Sequence, residues 1–208
     1  MINLMVVDLY HGDEVVSFAE AAAAGIHGII HKASQGADMV DPRYAERRGL
    51  AAAAGLLWGA YHFGTAAAVD AQVANFFNAA QPDAQTLVAL DYESNGADTM
   101  TLEQARGFLI GVADRLGRRP VLYSGGLIKQ ELGDVSDPFF AAHRLWLPEY
   151  GPEPHPQASW QTAWLWQYSG DCVGCDPKTV AGIPGARGCL DCNSFAGTPE
   201  ELAAQWAS

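Results

Sequence analysis

The strongest constraint on this chain is an alternation of two textures. Short runs of aliphatic and β-branched residues end in polar or aromatic ones, and Ala-rich runs with helical spacing follow them. Repeated β-α units of this kind demand a parallel sheet covered by helices. The pattern predicts strand 4–8 and helix 17–24 stopped by Gly25, then strand 28–32 and helix 42–54 closed by Gly55. Strand 57–63, helix 69–80 and strand 86–91 follow. Thr101 caps a helix to Leu116, with Glu103 in its first turn and Gly117 as its stop. Strand 120–124 ends the regular part. Beyond it the helical texture fades, and strands 145–147, 164–168 and 189–191 are joined by loops rich in Pro and Gly. Thr198-Pro199 opens a last helix. Eight strands suggest closure into a barrel; a doubly wound open sheet is the alternative, but no G-x-G-x-x-G turn occurs.

At 208 residues the chain fits a single domain, 1–208, able to bury a full core. A net charge of −12 argues against nucleic acid, whose phosphates demand Lys and Arg clusters, and against anionic membranes. The uncharged stretch 49–69 is long enough to raise a membrane span. Its Ala content and Gly55, Gly59, His62 and Thr65 fit a helix end, a turn and a buried strand better. The first residues show no basic region and no Ala-x-Ala site, so no secretory leader is read.

In a parallel barrel, functional side chains lie at the C-terminal strand ends. Those ends carry Asp8, Lys32, Tyr61 and Phe63, Asp91 and Glu93, Tyr123, Trp146, Gln167 and Asp191. Asp91 and Glu93 share a strand face about 6.6 Å apart along the chain. Two carboxyls so placed repel, one retains its proton, and a general acid needs such a proton. Alone, this D-x-E fits a solvated loop better. Asp8 and Asp191, near opposite ends of the chain, meet if the first and last strands are neighbours. Tyr10, Trp58, Tyr61, Phe63, Tyr123, Trp146, Tyr150, Trp164, Trp166 and Tyr168 could stack on sugar rings or simply fill core. Trp164 and Trp166 share a face by period two, and Trp58 reads as buried. His31 and His62 read as satisfied core or rim histidines rather than ligands. No His-Glu-x-x-His zinc motif and no G-x-S-x-G elbow is found.

Taken in order, these segments resemble glycoside hydrolase family 25, the Chalaropsis-type lysozymes. Val7-Asp8 resembles the opening aspartate segment. His31-Lys32-Ala33-Ser34-Gln35-Gly36 with Asp41-Pro42-Arg43-Tyr44 is similar to a K-A-T-E-G…D-P-x-F run. Gly55 to Phe63, Asp91-Tyr92-Glu93, Pro120 to Ser124, Leu145 to Tyr150, Trp166-Gln167-Tyr168 and Leu190 to Phe195 follow. The resemblance implies an irregular TIM-like barrel of five β/α units followed by three strands. It implies hydrolysis of the β-1,4 bond between N-acetylmuramic acid and N-acetylglucosamine in bacterial peptidoglycan. Glu93 matches the general acid, Asp91 the residue assisting the substrate's N-acetyl group, and Asp8 and Asp191 the flanking acids. Lys32, Tyr61, Phe63, Tyr123, Trp146 and Gln167 are the expected substrate contacts. Gln35 stands where the family usually has Glu.

Cys172-x-x-Cys175 and Cys189-x-x-Cys192 admit disulfides, free thiols or a zinc site. The barrel reading places Cys189 and Cys192 on one strand, facing opposite ways. The expectation is a structural loop, with no cofactor and no catalytic metal. A monomer acting on the cell wall is expected, released by lysis or exported by an unknown route. A catalytically weak carbohydrate-binding protein and a zinc-stabilised interaction module are the competing readings.

Overall fold

The computed structural model describes residues 2–208. The chain runs β1 (Leu4–Leu9), α1 (Phe18–Ala23), β2 (Gly28–Gln35), β3 (Met39–Val40), α2 (Tyr44–Ala53), β4 (Leu57–Phe63), α3 (Val69–Ala80), β5 (Leu87–Asp91) and α4 (Leu102–Leu116). It continues with β6 (Val121–Tyr123), α5 (Gly126–Leu132), α6 (Pro138–Ala141), β7 (Leu145–Pro148), β8 (Leu165–Gly170), β9 (Val173–Gly174), β10 (Asp191–Ser194) and α7 (Pro199–Gln205). Neighbouring strands follow the order β1-β10-β8-β7-β6-β5-β4-β2, and a β1–β2 pairing closes the ring as a barrel. β3 and β9 are short antiparallel additions to β2 and β8.

Period-two burial makes two cores. Val6, Ile30, Leu87, Ala89, Val121, Trp146 and Leu165 pack together inside the ring. Alternate residues such as Val7, Ile29, Val88, Leu90 and Leu122 pack outward against the helices. α7 plugs the bottom with Leu202 and Trp206. The Trp206 indole N–H donates to the Trp58 carbonyl at 2.8 Å. A Cβ on Gly28 would lie 2.6 Å from the Trp206 ring, so only glycine lets β2 pass the plug. Thr101 and Thr198 form capping boxes that start α4 and α7.

The structure corrects three expectations. Helical cover does not end at β6. α5 and α6 follow it, but α5 starts on Gly125 without a capping side chain, buries only Leu127 and Ile128, and so lacks a helical signature. The last strand does not end at Asp191 but begins there, because β10 runs antiparallel to β1. Trp164 and Trp166 do not share a face: Trp164 precedes β8 and packs with Phe195 and Trp206 near the plug, whereas Trp166 belongs to the outer core. No described helix is long and apolar enough to cross a membrane. The ambiguous stretch resolves into the end of α2, a turn at Gly55 with φ 74°, and β4.

Candidate active site

The inward parity that builds the inner core continues to the mouth of the barrel. Two residues beyond Val6, Ile30, Ala89, Val121 and Leu165 stand Asp8, Lys32, Asp91, Tyr123 and Gln167. Their strands pair in parallel from β2 through β8, so these side chains rise together at the C-terminal end. β10 arrives from the opposite direction, and its first residue therefore reaches the same rim. Asp8 and Asp191 are direct register partners.

Asp8 is buried and held by side-chain amides. Gln167 Nε2 donates to both of its oxygens at 3.0 Å, and Asn193 Nδ2 donates to one at 2.7 Å. The donors are themselves fixed. Gln167 Oε1 accepts from the hydroxyls of Tyr123 (3.0 Å) and Tyr150 (3.3 Å), and Asn193 Oδ1 accepts from the Trp146 indole at 2.6 Å. Burial, reinforced by the Asp191 charge, holds the Asp8 carboxyl well above the usual range despite these donors. Asp191 is pushed up to about 7 by burial and by Asp13 and Asp171.

Asp91 closes β5, and Glu93 lies just past it in the loop. The ladder nevertheless continues one step, since the Tyr92 N–H donates to the Tyr123 carbonyl at 2.9 Å and Ser124 Oγ donates to the Tyr92 carbonyl at 2.7 Å. Tyr92 turns into the outer core, which leaves Asp91 and Glu93 to the mouth. Burial, then the Glu93 charge, raises the Asp91 carboxyl far above its ordinary value, with Lys32 opposing. Burial raises Glu93 too, again opposed by Lys32. Asp91 Oδ1 is buried and has no hydrogen-bond partner among the described residues. Lys32 Nζ donates to Gln35 Oε1 at 2.6 Å and lies 4.6 Å from the centre of the Phe63 ring.

The aromatic residues divide. Tyr61 and Tyr123 pack edge-on against Trp146, at ring distances of 6.3 and 4.5 Å. Trp146 is 1% exposed and forms the floor beneath them. Burial, followed by the Asp91 charge, raises both tyrosine hydroxyls far above their ordinary value. Trp58 is buried on the outer side with His31 and Tyr44. His31 and His62 are core histidines. His62 stacks on Phe108 and binds Ser34 and Gln72, and burial lowers each of these histidines to about 4. Asn193 was missed as a site residue, although it follows Asp191 by the two residues that define a shared face, and Tyr150 was read only as one of the aromatic residues near the strand ends.

Cys172 and Cys189 form a disulfide, while Cys175 and Cys192 are free. Cys189 precedes β10 instead of lying on it, and Cys192 faces the outer core. The crosslink takes one cysteine from each C-x-x-C pair. Among the described residues no group of three or more His, Cys, Asp or Glu could hold a metal ion.

A family model described as glycosyl hydrolases family 25 matches residues 7–174. The protein YegX of Escherichia coli O157:H7, described as uncharacterized, is 28% identical over 177 residues, covering 83% of this chain and 60% of that protein. The chain thus spans about 60% of the length of the curated relatives it matches. Among solved structures, a bacterial lysozyme from Streptomyces coelicolor superposes with a TM-score of 0.82 at 25% identity, over 99% of this chain and 97% of that one. A family GH25 lysozyme from Aspergillus fumigatus shares the fold, with a TM-score of 0.79 at 21% identity over 99% of both chains.

Proposed function

The chain belongs to glycosyl hydrolases family 25, and from that premise we propose that it is a muramidase. It would cut the β-1,4 bond between N-acetylmuramic acid and N-acetylglucosamine in peptidoglycan. The observation that carries this reading is the pair Asp91 and Glu93, two raised carboxyls of unequal surroundings at one mouth.

Glu93 is the less buried of the two, so it is assigned the proton that goes to the leaving oxygen. Asp91 Oδ1, buried and unpartnered, is an acceptor in want of a donor. The acetamido N–H of the substrate fits that need. Orienting it aims the acetamido oxygen at the anomeric carbon. That oxygen bonds to the carbon as the glycosidic bond breaks, and Glu93 protonates the departing sugar. Water then opens the cyclic intermediate, with Glu93 taking its proton back. Two inversions give net retention, and no ester to the protein forms. Asp8 and Asp191 flank the reacting centre at that mouth.

The test is loss of turbidity of purified peptidoglycan, with mass analysis of the fragments and NMR of the first product. Reducing ends on N-acetylmuramic acid with the β anomer formed first are expected. An α anomer would replace participation by direct attack of water. Binding of the glycan without fragments would assign the weak carbohydrate-binding alternative.

A further inference from the structure

A second concavity adjoins the acids. Tyr10, Asp171, Cys172, Ala186 and Arg187 line a cavity of about 290 Å³. It adjoins the mouth directly, since a Cβ on Gly170, the residue before Asp171, would lie 2.8 Å from Asp191 Oδ1.

Two walls of this cavity are turns whose residues oppose their conformation. Ser169↔Gly174 and Gly170↔Val173 pair β8 with β9 and leave Asp171-Cys172 as a two-residue loop, with φ of 49° and 64°. Facing it, the Cys189 N–H donates to the Ala186 carbonyl at 3.0 Å, around Arg187 and Gly188 with φ of 55° and 78°. Positive φ at both central positions is the pattern of a type I′ turn, which Asn, Asp and Gly adopt most readily. Cys172 and Arg187 are none of these. Three of the four non-glycine residues with positive φ among the described residues line this one cavity. Such strain survives where the surroundings impose it, and it concentrates at ligand clamps.

The surroundings do impose it. The Cys172–Cys189 disulfide ties the two turns together. The Asp13 carboxylate accepts the backbone N–H of Tyr10 at 2.8 Å, and the Asp13 N–H donates to the Tyr10 carbonyl at 3.1 Å, which fixes the third wall. Arg47 donates to the carbonyls of Tyr10 (2.8 Å) and Asp13 (2.5 Å) from below. An antiparallel bridge between Glu14 and Gly185 completes the frame.

What the frame presents is chemically specific. Arg187 is exposed and enters none of the ion pairs among the described residues. Asp171 is also exposed, and the Tyr10 ring is 39% exposed. A guanidinium, a carboxylate and a half-open aromatic ring suit a ligand with a carboxylate, N–H donors and aliphatic surface.

We propose that this cavity is a substrate subsite beside the sugar cleft, and that it takes the short carboxylate-bearing peptide carried on the lactyl group of the muramic acid unit. Arg187 pairs with a peptide carboxylate, Asp171 accepts peptide N–H groups or an ammonium, and Tyr10 packs on an aliphatic side chain. The inference rests on the muramidase reading, which brings that peptide next to the scissile bond.

The test uses glycan chains with their peptides and the same chains stripped by an amidase, given to the wild type, Arg187→Gly and Arg187→Lys. Glycine tolerates the positive φ, so R187G removes the guanidinium without new backbone strain. The ratio of kcat/KM on peptide-bearing to stripped chains should fall about tenfold in R187G, the scale of one charge-assisted hydrogen bond, and recover in part in R187K. Calorimetric binding of an N-acetylmuramyl peptide to wild type and R187G reads the cavity without turnover, and a similar loss is expected there. An unchanged ratio, or a parallel fall on both substrates, overturns the subsite. A larger loss on stripped chains transfers Arg187 to the freed lactyl carboxylate and overturns the peptide assignment. If the wild type cuts neither substrate, the muramidase reading fails, and the binding comparison still decides whether the cavity takes the peptide.

Discussion

Asp8 and Asp191 face each other across the antiparallel pair β1–β10, and their surroundings differ. Asp8 is gripped by the side-chain amides of Gln167 and Asn193, whereas Asp191 stands beside the charges of Asp13 and Asp171. The amides lower the Asp8 carboxyl, but burial and the Asp191 charge outweigh them, whereas Asp191 is raised by burial and by Asp13 and Asp171. Two like carboxyls thus acquire unequal roles from their neighbours alone.

Stability should therefore fall as Asp191 ionises. Its folded-state value of about 7 lies above the ordinary 3.8, so the folded chain binds this proton more tightly than the unfolded chain does. The associated stability is complete below about pH 4 and is lost as pH rises towards 7. Asp191→Asn has no such dependence. The melting temperature of D191N minus that of the wild type should grow from pH 4 to pH 8, by about 2–4 °C per kcal/mol. A difference that stays flat with pH would show that Asp191 ionises freely in the fold.

Glu93→Gln should cut turnover by at least about a hundredfold, the usual scale for a lost general acid. Shape is kept and the titrating proton is removed, so the melting temperature should barely move. Near-normal lysis by E93Q would reassign the acid.

Lys32 opposes the upward shift of both Asp91 and Glu93, and Gln35 holds its ammonium without neutralising it. Asp41, Asp91 and Glu93 are the anions that face it, and Asp171 also acts on Glu93. In Gln35→Glu the new carboxylate takes up part of the Lys32 charge. Glu93 should then hold its proton to higher pH, and the alkaline limb of the kcat profile should move up by about one unit. An unmoved limb in Q35E would mean that Lys32 does not tune the acid.

The disulfide closes a separation of 17 residues that holds four glycines with positive φ. Cys172→Ser with Cys189→Ser should cost about 3 kcal/mol by restoring freedom to the unfolded loop. That corresponds to a fall of about 6–12 °C in melting temperature, with reductant producing the same fall in the wild type. Chelators should leave lysis unchanged, since protonation by Glu93 requires no Lewis acid. Activity lost on chelation and restored by zinc would overturn the reading of this loop as structural.

Much of the fold was legible because it is written in short-range periodicity. β4 and α3 have the predicted bounds, and Thr101 with Gly117 delimits α4 as expected. Once Val6, Ala89 and Leu165 are read as inward, Asp8, Asp91 and Gln167 follow by counting two. α5 was not legible, because seven residues with two buried contacts and a glycine start carry too little pattern.

What the sequence by itself determined is the alternation of β and α units and the set of polar residues that end the inward rows. What only the tertiary structure decided depends on contacts between distant parts of the chain. The direction of β10 put Asp191 at the start of its strand and still at the mouth, and it carried Asn193 to Asp8 across 185 positions. Folding also chose Cys189 over Cys175 as the partner of Cys172, and moved Trp164 to the plug. Periodicity is a property of neighbours along the chain. Strand direction, register and crosslinking are set by which distant surfaces bury each other, and no local pattern encodes that choice.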